Sequence, residues 1–202
     1  MLGAIIGDTI GSIYEFCNIK TTEFPLFSES SEPTDDSVMS IAVAEWLLTD
    51  PERTQQKLED SMVKWGHKYP RAGYWGAFAS WLFSPQFLYG YRDDTNTDED
   101  SKYGTRHPYN SWGNGSAMRA SACGWVSRSI EEALDEGIKG AQCVAAAIFL
   151  ARTGASKEDI RTYIVDTFGY DLSRDCDDIR PDYYFDVSCQ GTLPAALAAF
   201  FW

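Results

Sequence analysis

The chain has 202 residues, with 17 Lys+Arg against 30 Asp+Glu and a formal net charge of −13, so one domain is expected and a nucleic-acid backbone is repelled rather than bound. Apolar residues make up 44% and aromatic residues 14%, which is core-forming composition and excludes an acidic disordered tail. No stretch approaches the roughly 20 apolar residues of a membrane span; the five dispersed cysteines, Cys17, Cys123, Cys143, Cys176 and Cys189, contain no Cys-x-x-Cys pair, and with no basic targeting segment visible they point to unpaired thiols in the cytoplasm.

In chain order, residues 2–16 read as an apolar helix, with Gly3, Gly7 and Gly11 along one face and Asp8, Ser12 and Glu15 along a second, polar one. Such a helix is expected to be mostly buried, so its acids need partners. Residues 36–48 predict a helix buried on most sides and capped by Thr34 or Asp35. Asp50 as N-cap with Pro51 in the first position predicts a third helix, with Leu58, Met62 and Trp65 on one stripe and a stop before Pro70. A short aromatic helix is expected within 74–83. Ser129 with Glu132 and Ser156 with Asp159 resemble capping boxes, Ala141–Ala151 is an apolar helix, and Gly154 and Gly169 mark helix ends. No alternating strand, repeat or low-complexity linker appears, so the fold class is all-α, a compact single domain over 1–202.

Two regions depart from a plain helical domain. Residues 84–115 form a loop of Tyr, Asp, Asn and Gly, of a length that is usually functional or disordered. After Thr192, a helix TLPAALAAFFW stops without a polar turn or glycine cap, on three aromatics, and reads as a chain cut short. Its apolar surface is a candidate for self-association.

Three constellations could carry chemistry. Pro33-Thr34-Asp35-Asp36-Ser37 offers two carboxylates and a hydroxyl at a helix start; this is either a helix cap with favourable first-turn acids or part of a hard-cation site built of oxygen ligands. Tyr109 to Arg119 is a glycine-rich turn running into a helix, which is either a turn with a cap or a cradle for an anion. The Asp8/Glu15 face is either a solvated stripe or a set of acids awaiting a metal or polyol. His67 and His107 are too few for a histidine zinc site, and the acidic run Asp93–Asp100 lacks the glycine and glutamate of a calcium loop.

Taken together, Gly3-Ala4-Ile5-Ile6-Gly7-Asp8 with Glu15-Phe16, Thr34-Asp35-Asp36-Ser37, Tyr69-Pro70 with Gly73-Tyr74, and Tyr109-Asn110-Ser111 with Gly113 to Arg119 resemble the ADP-ribosylglycohydrolase family, in order and spacing. The resemblance implies an all-α orthogonal helical bundle and a hydrolase using two Mg²⁺ or Mn²⁺ ions to cleave the bond at ribose C1″ of an ADP-ribosylated protein or small ADP-ribose derivative. It implies Thr34, Asp35 and Asp36 as metal ligands, and Glu15 and Asp36 as catalytic carboxylates. Gly73, Tyr74, Asn110, Gly113, Asn114, Gly115 and Ser116 would then hold the substrate. The family's C-terminal Gly-Gly-Asp-x-Asp-Thr motif, which completes its metal site, does not occur in these 202 residues. The expectation is therefore a truncated member with a doubtful second ion, or alternatively an impaired ADP-ribose-binding relative or a fragment needing a completing chain.

Overall fold

The computed structural model describes residues 1–83, 113–130 and 139–202. Its helices are α1 (Leu2–Gly11), α2 (Asp35–Thr49), α3 (Gln55–Lys68), α4 (Gly76–Phe83), α5 (Gly115–Arg119), α6 (Ser121–Val126), α7 (Lys139–Arg152), α8 (Lys157–Phe168), α9 (Cys176–Ile179) and α10 (Cys189–Phe201). Among the described residues there is no strand beyond one isolated antiparallel bridge, Gly113 to Ser188, and no helix is long and apolar enough to cross a membrane. The all-α expectation holds. Residues 84–112, with Asn110, His107 and the Asp93–Asp100 run, and Glu132 of the first capping box lie outside the described residues.

Helix α2 organises the interior because its apolar side chains surround the whole cylinder. Val38, Met39 and Ala42 pack with Met62 of α3 and Leu82 of α4. Val43, Ala44, Trp46 and Leu47 pack with Ala122 and Cys123 of α6 and Ala145 of α7. A further cluster joins Cys143, Ala146 and Ala147 of α7 to Ile160, Ile164 and Phe168 of α8 and to Leu193 and Leu197 of α10. Truncating a fully buried aliphatic such as Met39 or Ile160 in these clusters would cost about 2–5 kcal/mol.

Local signals set several boundaries. Thr34 caps α2 by accepting from the Asp36 N–H. Ser156 and Asp159 form the expected capping box, and α8 ends at Gly169 in the left-handed conformation. All five cysteines are free thiols.

Three expectations change. Helix α3 starts at Gln55 with Thr54 as N-cap rather than at Asp50. The Asp50 carboxylate instead accepts from the Thr54 N–H at 2.7 Å and its hydroxyl at 2.8 Å, folding 50–54 into a turn. The last helix begins at Cys189, capped by Ser188, and runs through Pro194. Helix α1 stops at Gly11, short of Glu15, and contains no buried residue; Leu2 is 77% and Ile6 48% exposed. Its apolar sequence made burial the expectation, but among the described residues only one side of α1 is covered, chiefly by the start of α2.

Candidate active site

The Asp8 carboxylate fastens α1 to α2. It accepts from the Thr34 N–H at 2.8 Å, the Thr34 hydroxyl at 2.5 Å, the Ser37 N–H at 3.3 Å and the Ser37 hydroxyl. Four donors use its accepting capacity fully. Thr34 thus caps α2 with an oxygen that also donates to Asp8, keeping one lone pair.

Asp35 and Asp36 stand in the opposite situation. They occupy the first turn of α2, where the helix dipole favours acids, yet no side-chain hydrogen bond reaches either carboxylate among the described residues. Withdrawal from water, followed by the neighbouring Asp36 and Glu15 charges, pushes Asp35 up to about 7. Asp36, open to the cleft but walled by protein, is pushed to about 6 by desolvation and then by Asp8 and Glu15. Glu15, in the turn after α1, is also raised, by burial first and Asp8 second. Four acids from two segments share one corner, and like charges so placed are a standing electrostatic cost of the kind functional sites carry.

Two adjoining cavities open on this corner. One, about 420 Å³, runs along Gly7, Gly11 and Glu15 to Asp36, Asn114 and Thr192. The other, about 320 Å³, runs from Glu15, Asp35 and Asp36 past Trp75 and Phe78 to Gly113, Asn114, Gly115 and Arg119. Asp186 and Phe185 wall both. Gly73, at φ +95°, brings the chain beside Asp35, whose Oδ1 would lie 3.7 Å from a Cβ there, and the Asp35 N–H donates to the Ala72 carbonyl at 2.6 Å.

The structure thus gathers Glu15, Thr34, Asp35, Asp36, Gly113, Asn114 and Gly115 around the two cavities. Of the other expected residues, Gly73 touches the corner only through Asp35, and two stand aside. Tyr74 lines neither cavity; its ring packs edge-on against Phe78 and Phe83. Its enclosed hydroxyl, unpartnered among the described residues, is pushed up to about 12 by burial and the nearby Asp35 charge. Ser116 also lines neither. The Gly113 to Ser116 turn rests on the segment before α10 and on its first turn: the Asn114 N–H donates to the Val187 carbonyl at 2.7 Å and its side-chain amide to the Thr192 hydroxyl at 3.3 Å.

Sequence reasoning missed Asp186. The Ser188 N–H donates to its Oδ1 at 2.7 Å, which holds the carboxylate below its usual range. Gly191 is required beneath it, since a Cβ there would sit 2.1 Å from Oδ2. An Asp two residues before a Ser N-cap was the available signal. Among the described residues, no group of three or more His, Cys, Asp or Glu side chains is placed to hold a metal ion.

A family model described as ADP-ribosylglycohydrolase matches residues 1–199 of the chain. No curated protein matches it.

Proposed function

The chain belongs to the ADP-ribosylglycohydrolase family, and from that premise we propose that it hydrolyses the bond between ribose C1″ and the acceptor group of an ADP-ribosylated side chain or small ADP-ribose derivative. The observation that carries this reading is the meeting of Glu15 and Asp36 on the wall shared by two cavities, with Asp35 beside them on the smaller one.

Cleavage breaks the C1″–acceptor bond. The electron pair leaves with the acceptor, which takes up a proton, while water supplies hydroxyl to C1″ and releases a proton. Positive charge developing at C1″ is stabilised by nearby carboxylates. Glu15, raised by burial, is the group assigned to hold or transfer the proton. Asp36 flanks the same cavities and orients the water, and the Gly113–Asn114–Gly115 turn lines the cleft that takes the substrate.

Thr34, Asp35 and Asp36 would hold a Mg²⁺ or Mn²⁺ ion. Mg²⁺ is commonly bound through one or two carboxylates while keeping several waters, and neither Asp35 nor Asp36 accepts a side-chain hydrogen bond among the described residues. This fits one ion; no second set of ligands is present among the described residues. Bound there, the cation would supply Lewis-acid orientation of ribose hydroxyls and an activated water. The five free thiols support a reducing, cytoplasmic setting, and the exposed Phe200 and Trp202 support self-association through the end of α10.

A second reading, an ADP-ribose-binding relative with impaired catalysis, is favoured by the lack of a three-acid metal group among the described residues. The test is release of ADP-ribose from arginine- and serine-modified peptides by this chain, with Mg²⁺ and with EDTA, beside calorimetry with free ADP-ribose. Metal-dependent release supports the hydrolase. Binding without release supports the second reading, and neither binding nor release overturns both.

A further inference from the structure

Two side chains beside the cleft forgo the local bonds their positions usually give them and meet each other instead. Asn114 occupies the N-cap of α5, a place asparagine favours because its side-chain oxygen can take a first-turn N–H, yet it makes no such cap. Its ψ of 4° lies outside the extended region that capping uses. Its amide donates to the Thr192 hydroxyl at 3.3 Å, across 78 residues of sequence.

Thr192, in the first turn of α10, departs in the same way. A helical threonine hydroxyl ordinarily bonds the carbonyl three or four residues back. Here it donates to the Asp186 carbonyl at 2.8 Å, six residues back and before the helix begins, while the Ser188 carbonyl, four back, takes the Thr192 N–H at 3.0 Å. One hydroxyl therefore joins two pieces of the cleft wall: its proton goes to the Asp186 segment and a lone pair receives Asn114. Contacts to Val187, Ser188 and Cys189 already seat the Gly113 end of the turn. The side-chain bond adds a hold on Asn114 itself, which lines both cavities.

Resting on the hydrolase reading above, we infer that Thr192 is a positioning residue: its hydroxyl holds Asn114, and through it the Gly113–Gly115 turn, in the orientation that takes the ligand. The role belongs to the hydroxyl and not to the methyl group, so serine should serve at this position, and valine, which keeps the shape, should not.

The test compares the parent chain with Thr192→Val, Thr192→Ser, Asn114→Ala and the Thr192→Val/Asn114→Ala double variant, with circular dichroism confirming the fold. Should Thr192→Val lose helical signal, Thr192→Ala, with the better helix former, takes its place in every arm. Hydrogen–deuterium exchange reads the turn without any ligand: the amides of residues 114–118 should exchange faster in Thr192→Val than in the parent or Thr192→Ser, while those of α2 and α7 keep their rates. Calorimetry with free ADP-ribose should show Kd raised about tenfold in Thr192→Val, the size of effect that one hydrogen bond carries. Thr192→Ser should restore it, and the double variant should be no weaker than Asn114→Ala alone, since the two side chains act as one unit. In turnover, KM should rise with Kd while kcat stays near that of the parent. Unchanged exchange or unchanged Kd in Thr192→Val, an equal loss in Thr192→Ser, or additive losses in the double variant overturn this inference and leave the hydrolase reading standing. Neither binding nor release by the parent overturns that reading and this inference with it.

Discussion

Helix α2 holds acids in opposite circumstances along its length. Near its middle, Glu45 accepts from Lys64 Nζ at 2.5 Å, the Trp65 indole at 2.7 Å and the Ser61 hydroxyl at 3.2 Å, and these donors pull its pKa down. At its first turn, Asp35 and Asp36 accept no side-chain hydrogen bond among the described residues, and desolvation with neighbouring carboxylates pushes them up to about 7 and about 6. All three are carboxylates, and the helix dipole even favours the first turn. The difference lies in what neighbouring segments deliver: α3 brings donors to Glu45, whereas the turn after α1 brings Glu15. The acid that joins elements is supplied with partners, and the acids proposed to meet a ligand are kept short of them.

The largest effect should come from Asp36→Asn. ADP-ribose release is expected to fall by more than the roughly 10–100-fold that loss of an outer-shell partner of a metal causes, while the thermal midpoint in EDTA stays level or rises because one like charge is removed. A midpoint lowered by several degrees would break the comparison by making Asp36 a joining acid.

Asp8→Ala should do the reverse at the same corner. With Thr34 and Ser37 deprived of their acceptor, urea unfolding should show a loss of about 2 kcal/mol. Undiminished stability would mean that Asp8 belongs with Asp35 and Asp36.

The pH dependence sharpens the contrast further. Asp35 and Asp36 bind protons more tightly folded than unfolded, where their ordinary value is 3.8. Their destabilisation is therefore full above about pH 7 and is relieved as pH falls through 7 and 6. The midpoint in EDTA should rise from pH 7.5 to pH 5.5, and Mg²⁺ should flatten that slope. Glu45 has the opposite sign: its contribution is present above its unfolded value of 4.5 and is lost as pH falls below it. Being partly open to solvent, it should give the smallest effect, about 1 kcal/mol in Glu45→Gln at pH 7 by urea unfolding.

What could be read from the sequence followed from distance along the chain. The Thr34 cap, the Ser156/Asp159 box, the Gly169 stop and the apolar girth of α2 depend on residues within a turn or two of one another, and each was legible. The same holds for the Thr34-Asp35-Asp36 grouping, which is contiguous. Asp50 was misread because it sits one turn too early: its carboxylate serves Thr54, and Thr54 makes the cap. The exposure of α1 was hidden because an apolar sequence does not say how many neighbours will cover it. The resemblance implied Tyr74 at the cleft, whereas its ring packs edge-on against Phe78 and Phe83. Asp186 acquires its place only when its segment meets the corner formed by α1 and α2, a meeting that no local pattern announces.

Helix α1 has no buried side chain and is fastened chiefly through the hydrogen bonds of Asp8, so it should open as a unit well before the helices packed around α2. Its amides would then exchange with deuterium as one group, faster than those of α2 or α7. Since Gly7, Gly11 and Glu15 form one wall of the larger cavity, the fraction of time that wall is present sets the fraction of molecules able to take a ligand. Any molecule that settles against it must in turn slow exchange throughout the first eleven residues.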